Sequence, residues 1–290
     1  MDGVLVIDKP AGCTSHDVVQ HARRVLGLSR IGHLGTLDPM ATGVLPLVIG
    51  KATRLAQFFR NRDKVYEGRM RLGFATDTYD RTGKQVGEVE SSLPERAELE
   101  VAFRELTGTF QQIPPAVSAK KVAGVESYKL ARKNEQVELA PVEVTVNEFT
   151  MLDFDPPYVR FRIHCSGGTY VRSLVHDAGR KVGCGAHVDE LRRTASGEFR
   201  VEQAVTLERL AELQSEGRVA EAMVAVETML PEFPCYRVPP MMVAAILSGR
   251  DFRTTPPVNA PRVKVLSHEG RLLAIADRKD MGFFHPSIVL

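Results

Sequence analysis

Apolar and charged residues alternate along two segments of the chain. From Tyr66 to Leu72 the even positions are apolar or glycine, and the odd positions between them are charged. From Val159 to Cys165 the odd positions are apolar, and the even positions carry two arginines and a histidine. A period of two places successive side chains on opposite faces of a strand. Each segment therefore predicts a strand with one buried face, and the second strand has a basic outer face.

Other patterns predict helices and further strands. Thr14 and Asp17 have the spacing of a helix N-cap, and apolar residues follow them at helical intervals. Glu269-Gly270 predicts the turn of a hairpin. The same signals predict strands at 3–8, 44–49, 262–266 and 271–276, helices at 93–108 and 170–181, and two acidic amphipathic helices within 206–230.

Two proline-containing pairs indicate a boundary near the end of the chain. Phe233-Pro234 and Pro239-Pro240 enclose it, which predicts a domain of residues 1–235 and a smaller one of residues 236–290. About 50 residues are few for an independent core, so we expect the second part to pack against the first. The total of 290 residues, 43% hydrophobic and 26% charged, is typical of a globular protein.

The charges are unevenly distributed although the net charge is only +2. Residues 156–200 carry eight basic and four acidic side chains, and residues 236–290 repeat this ratio. Residues 136–155 and 201–235 are acidic. Two basic segments predict a surface that binds phosphates, and solvated faces of mixed sign are the alternative.

Several classes of function lack their sequence signals. The chain has no Walker P-loop, no GxGxxG after a strand, no HExxH and no GxSxG. Its four cysteines are scattered, without a CxxC pair, so we expect no metal site, no disulfide framework and a reducing cytoplasmic compartment. No apolar run reaches the roughly 20 residues of a membrane span. We therefore expect no cofactor and no membrane association.

Residues 32–43 are the most unusual segment. They read Gly-His-Leu-Gly-Thr-Leu-Asp-Pro-Met-Ala-Thr-Gly, a loop in which Asp38 can face a ligand. Taken alone, Asp38 can equally form an Asx turn with the proline that follows it. His33, Tyr66, Tyr170 and Arg172 also have ordinary structural interpretations, as hydrogen-bonded, half-buried or surface residues.

The motifs together resemble the TruB family, the bacterial tRNA pseudouridine synthases that act on uridine 55 of the T loop. Residues 32–43 resemble its catalytic motif, and Cys165-Ser-Gly-Gly-Thr-Tyr-Val-Arg-Ser-Leu174 resembles the motif that brings an arginine to the catalytic acid. Three further segments, 7–15, 113–120 and 191–199, resemble family motifs in the same order. The end of the chain resembles, more weakly, a short PUA-like RNA-binding domain.

The resemblance implies a fold and a reaction. The fold is α+β, a pseudouridine synthase fold with a central mixed, mostly antiparallel sheet flanked by helices and loops, plus a small β-rich PUA-like C-terminal domain. The reaction is the isomerisation of uridine 55 by cleavage of its C–N glycosidic bond, rotation of the base and formation of a C–C bond. The implied partner is the T-arm of tRNA, and we expect a monomer that uses no metal.

The resemblance also assigns roles to individual residues. Asp38 is the catalytic nucleophile, and Arg172 pairs with it. Tyr66 stacks on the uracil and assists proton removal from C5, while Tyr170 and Leu191 line the pocket and His33 occupies the space of the flipped base. Whether Asp38 attacks the ribose, attacks the base or removes a proton stays open.

Two other functions compete with this interpretation. One is the related guide-RNA-dependent rRNA pseudouridine synthase, whose catalytic loop is similar, but this chain lacks long basic extensions. The other is an RNA-binding protein without catalytic activity, against which Asp38, Tyr66 and Arg172 argue.

Overall fold

The computed structural model describes residues 1–115 and 140–290, together with the backbone of two short strands between them, at 121–122 and 125–126. The last five residues of the segment 113–120 lie outside the described residues. The described helices are α1 (Ser15–Leu26), α2 (Arg96–Glu105), α3 (Val171–Lys181), α4 (Leu207–Ser215) and α5 (Pro240–Leu247), with 3-10 turns at Gly50–Phe58, Val201–Gln203 and Val219–Ala222.

The strands are numbered β1 to β19 along the chain. They are β1 (Gly3–Lys9), β2 (Ile31–His33), β3 (Thr42–Ile49), β4 (Lys64–Leu72), β5 (Ala75–Thr76), β6 (Gln85–Val86), β7 (Gly108–Gln112), β8 (Lys121–Val122), β9 (Val125–Glu126), β10 (Val142–Asp155), β11 (Tyr158–Cys165), β12 (Ala186–Ser196), β13 (Phe199–Arg200), β14 (Met223–Val224), β15 (Cys235–Arg237), β16 (Phe252–Arg253), β17 (Arg262–Leu266), β18 (Leu272–Asp280) and β19 (Phe283–Val289).

One large mixed sheet forms the centre of the molecule. Its strands run in the order β14-β1-β3-β12-β4-β11-β10-β7, with β2 beside β3 and β13 beside β12. Among the described pairs of this sheet, β12 and β3 are parallel and all the others are antiparallel. The α+β class and the mostly antiparallel sheet predicted from the sequence are therefore confirmed.

Strands β1 and β3 are buried on both faces. Leu5 and Ile7 of β1 belong to one hydrophobic cluster, whereas Val4 and Val6 belong to a second cluster on the other side of the sheet. Because both faces are covered, both strands consist of nearly continuous apolar residues rather than an alternating pattern. Helices α1, α3 and α4 cover the first cluster, and the C-terminal part of the chain covers the second.

Helix α1 begins where the sequence predicts. Thr14 Oγ1 accepts a hydrogen bond from the backbone N–H of Asp17, and the Asp17 carboxylate accepts one from the Thr14 N–H. This capping box satisfies two backbone donors that a helix N-terminus would otherwise leave unpaired. The strand predicted around Tyr66 and the hairpin at the C-terminus are also present, as β4 and as β17 with β18.

The C-terminal strands form a separate sheet in the order β15-β17-β18-β19-β16. This sheet starts at Cys235, next to the boundary predicted between residues 235 and 236. Leu266 and Leu272 pack in the same cluster as Phe59 and Phe199 of the main part of the chain. The two parts therefore share a core, and their division into two domains stays a prediction.

The second helix predicted within 206–230 is wrong. Helix α4 ends at Ser215, and Gly217 follows in a left-handed conformation with a φ of 70°. The chain then forms the 3-10 turn Val219–Ala222 and adds the short strand β14 to the edge of the central sheet. The glycine and the pairing of Met223 with Leu5 in β1 outweigh the helical periodicity of the acidic side chains.

Candidate active site

The segment containing Asp38 connects β2 to β3 and is held from both sides. Ser15 at the start of α1 donates from Oγ to the carbonyl oxygen of Leu37 at 3.2 Å and accepts from the Leu37 N–H at 2.8 Å. Lys9 of β1 donates from Nζ to the carbonyl oxygen of Pro39 at 3.3 Å. Leu37 is buried, so the loop is anchored by an apolar side chain as well as by hydrogen bonds.

Asp38 forms a forked ion pair with Arg172. Arg172 Nε lies 2.8 Å from Asp38 Oδ2, and Arg172 Nη2 lies 3.0 Å from Asp38 Oδ1. The arginine side chain is 5% exposed, whereas the carboxylate is 35% exposed. Two parallel hydrogen bonds from one guanidinium fix the orientation of a carboxylate. Arg172 therefore fixes the orientation of the Asp38 carboxylate, which stays partly exposed.

Arg172 is itself held by the segment after β5. Its Nη1 donates to the Thr78 carbonyl oxygen at 2.9 Å and lies 3.4 Å from Asp80 Oδ2. Asp80 Oδ1 accepts from Thr78 Oγ1 at 2.9 Å and from the backbone N–H of Thr82 at 2.9 Å. Asp80 is buried and was not predicted as a site residue, because an aspartate in a polar turn carries no distinguishing sequence signal.

A cavity of about 840 Å³ opens beside this ion pair. Tyr66 of β4 and Leu191 of β12 form part of its wall, and Tyr170 at the start of α3 forms another part. The backbone of Tyr170 makes two hydrogen bonds with the buried side chain of Gln112, at 2.8 and 3.0 Å. The structure therefore brings five of the six predicted site residues together around one cavity.

His33 is the sixth predicted residue and is not one of the residues that line this cavity in the described part of the chain. It is half-buried in β2. Burial is the main cause that lowers its pKa, and Arg193 and His16 lower it further, so the imidazole is neutral at pH 7. Its Nδ1 is buried without a hydrogen-bond partner among the described residues.

Two further basic side chains line the cavity formed by the described residues. Arg60 and Lys64 belong to its lining, and Lys64 Nζ donates to the Arg62 carbonyl oxygen at 2.7 Å. Burial lowers the pKa of Lys64 to about 8. Burial also raises the pKa of Tyr66, and the nearby Arg193 opposes this rise. Lys64 and Arg193 were not predicted as site residues, because single basic residues normally lie on the surface.

The described residues contain no group of three or more His, Cys, Asp or Glu side chains arranged to bind a metal ion. Within the same part of the chain, no helix is both long and apolar enough to cross a membrane.

Two protein-family models match consecutive parts of the chain. Residues 23–171 match the N-terminal domain of the TruB family of pseudouridylate synthases, and residues 172–231 match the C-terminal domain of tRNA pseudouridylate synthase B. The chain belongs to the TruB family. The family expected from the motifs at 32–43 and 165–174 is therefore confirmed, and the chain is a pseudouridine synthase of this family.

Individual TruB-family relatives match over the whole chain. A protein of Solibacter usitatus named tRNA pseudouridine synthase B is 50% identical over 293 residues, covering 100% of both chains. A protein of the same name from Thermobifida fusca is 43% identical, covering 99% of this chain and 98% of its own.

Solved structures confirm the pseudouridine synthase fold expected for a TruB-family chain. The crystal structure of a Cbf5-Nop10-Gar1 complex matches with a TM-score of 0.74 and 28% identity, covering 98% of this chain and 83% of that one. The structure of an H/ACA RNP bound to a substrate RNA containing 2'-deoxyuridine matches with a TM-score of 0.74 and 26% identity, covering 99% and 84%.

Proposed function

We propose that this TruB-family chain converts uridine 55 in the T loop of tRNA to pseudouridine. Relatives that are 50% and 43% identical over nearly the whole chain are named tRNA pseudouridine synthase B. The observation that carries the proposal is the forked pair between Asp38 and Arg172 at the edge of a cavity that also contains Tyr66.

The reaction needs few groups. The bond between ribose C1′ and uracil N1 breaks, the base turns within the pocket, and C1′ joins C5. No atom is added or lost, so a single carboxylate is sufficient to begin the reaction. Glycosidases need two carboxylates because they must also activate water and protonate a leaving alcohol.

Asp38 is the group we propose for the first step. Its forked pair with Arg172 holds the carboxylate in one orientation, and the carboxylate forms part of the cavity lining. An oriented carboxylate can attack as a nucleophile or remove a neighbouring proton, and either route begins C–N cleavage. Arg172 does not contact the substrate in this scheme and acts by orienting Asp38.

The other predicted residues bind the base. Tyr66 stacks on the uracil, and its phenolate oxygen receives the C5 proton late in the reaction. Leu191 and Tyr170 complete the wall of the pocket. Uridine 55 must leave its stack to reach Asp38, at a cost of a few kcal/mol, and the neutral ring of His33 suits the stacked space that the base vacates.

The basic segments 156–200 and 236–290 supply the phosphate contacts that we propose. Several of their basic side chains are already engaged in ion pairs: Arg162 with Glu67, Arg192 with Asp8, Arg262 with Asp277 and Lys279 with Asp251. We therefore assign phosphate binding to the basic side chains of these segments that form no ion pair among the described residues. Arg60, which lines the cavity but lies outside both segments, is a further candidate. Such contacts give affinity without reading the sequence.

We propose that the enzyme acts as a monomer in the cytoplasm, with residues 236–290 as an RNA-binding part. The four cysteines are free, which suits a reducing compartment.

Incubation with unmodified tRNA transcript, followed by mapping of pseudouridine, tests the function. We expect pseudouridine at position 55 without any guide RNA or added metal. A transcript that carries cytidine at position 55 is the control and should stay unmodified. Modification of ribosomal RNA only in the presence of a guide RNA would contradict the proposal and favour the competing rRNA enzyme.

A further inference from the structure

Arg193 is a fully buried arginine beneath the loop that carries Asp38. Its exposed fraction is 0%, and it stands in β12, two residues after Leu191 of the cavity wall. The neighbouring Arg192 points the other way and forms an exposed ion pair with Asp8. The Leu-Arg-Arg segment thus contains one surface arginine and one core arginine, which the amino-acid pattern does not distinguish.

The guanidinium of Arg193 binds backbone oxygens at both ends of the loop. Nη2 donates to Gly35 O at 3.0 Å, Nη1 to Thr36 O at 3.2 Å, and Nε to Val44 O at 2.8 Å. Gly35 and Thr36 precede Asp38, and Val44 follows it. One side chain therefore holds the two ends of the loop at a fixed separation.

Arg193 is also the cross-strand neighbour of Tyr66. The two residues are opposite each other in the register of β12 and β4, so their side chains lie on the same face of the sheet. Among the described residues, no carboxylate forms an ion pair with Arg193. A buried cation whose hydrogen bonds go only to neutral oxygens is costly, and it strongly favours any anion formed next to it.

We propose that Arg193 is a positioning residue of the reaction, which fixes the Asp38 loop and stabilises the ionised form of Tyr66 that receives the proton from uracil C5. This assignment rests on the proposed function, because it needs a uracil in the cavity and Tyr66 as the proton acceptor. Arg193 touches neither the substrate nor the reacting atoms, and it acts through Tyr66 and the loop.

The protons balance in this scheme. Once the C–N bond is broken, the Tyr66 hydroxyl gives its proton to N1, which carries a hydrogen in the product. The base turns and C5 joins C1′. The C5–H bond then breaks, its electron pair restores the ring, and the proton passes to the Tyr66 oxygen. Tyr66 is an anion only between these two transfers, and it is then next to the Arg193 charge.

A deuterium isotope effect separates this role from a structural one. Single-turnover rates are measured on tRNA with hydrogen or deuterium at C5 of uridine 55, for the wild type, Arg193→Met and Arg193→Lys. Arg192→Met is the matched control, since it removes the adjacent arginine from the opposite face. Circular dichroism and tRNA affinity establish that each variant is folded.

We expect Arg193→Met to lower the rate about 100-fold, the size of effect found when one preorganised charge or donor is removed. Its isotope effect should exceed that of the wild type, because loss of the proton from C5 becomes slower. Arg193→Lys keeps the charge and should recover part of the rate. Arg192→Met should leave the isotope effect unchanged.

A double variant tests whether Arg193 acts through Tyr66. In the Tyr66→Phe background no phenolate forms, so adding Arg193→Met should slow the reaction much less than it slows the wild type. The proposal would be overturned if the two substitutions lowered the rate independently and additively and left the isotope effect unchanged. Failure of both Arg193 variants to fold would overturn it as well, since the residue would then serve the fold.

These results are distinct from a failure of the proposed function. If wild-type protein forms no pseudouridine on tRNA, the function itself is wrong. If the wild type is active and only the Arg193 results disagree, then the assignment of Arg193 alone is wrong.

Discussion

Lys64 shows how strongly the cavity wall alters a single side chain. The residue is 6% exposed, and its pKa falls from an ordinary 10.5 to about 8 because burial penalises the charged form. Between these two values the unfolded chain binds the proton that the folded chain has lost. The contribution of Lys64 to stability therefore increases as the pH rises through this range.

Replacing Lys64 by methionine tests whether the contribution of this residue to stability increases with pH. The difference in free energy of unfolding between the wild type and Lys64→Met should shift in favour of the wild type by about 3 kcal/mol from pH 8 to pH 10.5. Urea unfolding of both proteins at the two pH values measures it. A difference that is the same at both pH values would contradict a depressed pKa.

At the scale of residues, the sequence predicts the side chains that line the cavity better than the side chains that support them. Asp38, Arg172, Tyr170 and Leu191 lie in the recognised motifs, and the family resemblance adds Tyr66. The structure brings all five around one cavity. The buried side chains that support them, Asp80 and Arg193, were not predicted as site residues, although Arg193 lies within the segment 191–199. Their burial depends on the register of distant strands and turns, which no local pattern contains.

Among the elements, the connection from β2 to β3 depends on a glycine at its end. Gly43 has a φ of 101°, and a Cβ built there would lie 2.2 Å from the backbone oxygen of Arg193. The parallel pairing of β3 with β12, in which Gly43 is opposite Arg193, produces this close approach. A side chain at this position would force β3 and β12 apart.

Gly43→Ala should therefore lower the free energy of unfolding by more than the backbone strain of a left-handed alanine alone. Gly217→Ala is the control, since Gly217 has a φ of 70° and nothing within 4 Å of its Cβ position. We expect the control to lose about 1–2 kcal/mol of unfolding free energy and Gly43→Ala to lose at least about 2 kcal/mol more. Equal losses in chemical denaturation would show that the strands tolerate the extra methyl group.

Elements defined by local signals were predicted well, and those defined by pairing were not. Helix α1 has its capping box, and the turn at Glu269-Gly270 closes the hairpin of β17 and β18. Strand β19 was missed because Pro286 argues against a strand, yet it pairs with β18. Strand β14 was missed because its two residues become a strand only beside β1.

The whole molecule is tied together by the cluster shared between its two sheets. On β18, Leu272 packs in the cluster that includes Phe59 and Phe199, whereas Leu273 packs with Phe252 and Phe284 inside the C-terminal part. Lys264 Nζ adds two hydrogen bonds to the backbone oxygens of Glu227 and Met229, at 3.1 and 2.9 Å. These contacts favour unfolding of both parts in one transition.

The adjacent leucines test this coupling. Leu272→Ala and Leu273→Ala should each lower the free energy of unfolding by about 3 kcal/mol, since both are buried. If the molecule unfolds as one unit, both variants move the same single transition in a thermal scan. Two transitions, of which Leu273→Ala lowers only one, would show that residues 236–290 unfold on their own.

The central claim for the molecule is that the Asp38 carboxylate performs chemistry on a bound tRNA. Asp38→Asn keeps the size and the turn before Pro39 but removes the charge that pairs with Arg172. Single-turnover formation of pseudouridine, measured beside a filter-binding titration with the same tRNA, separates chemistry from binding. We predict that turnover falls to background while tRNA affinity stays within about tenfold, or 1.4 kcal/mol. Substantial turnover in Asp38→Asn would contradict the account, because no other carboxylate among the proposed site residues can replace it.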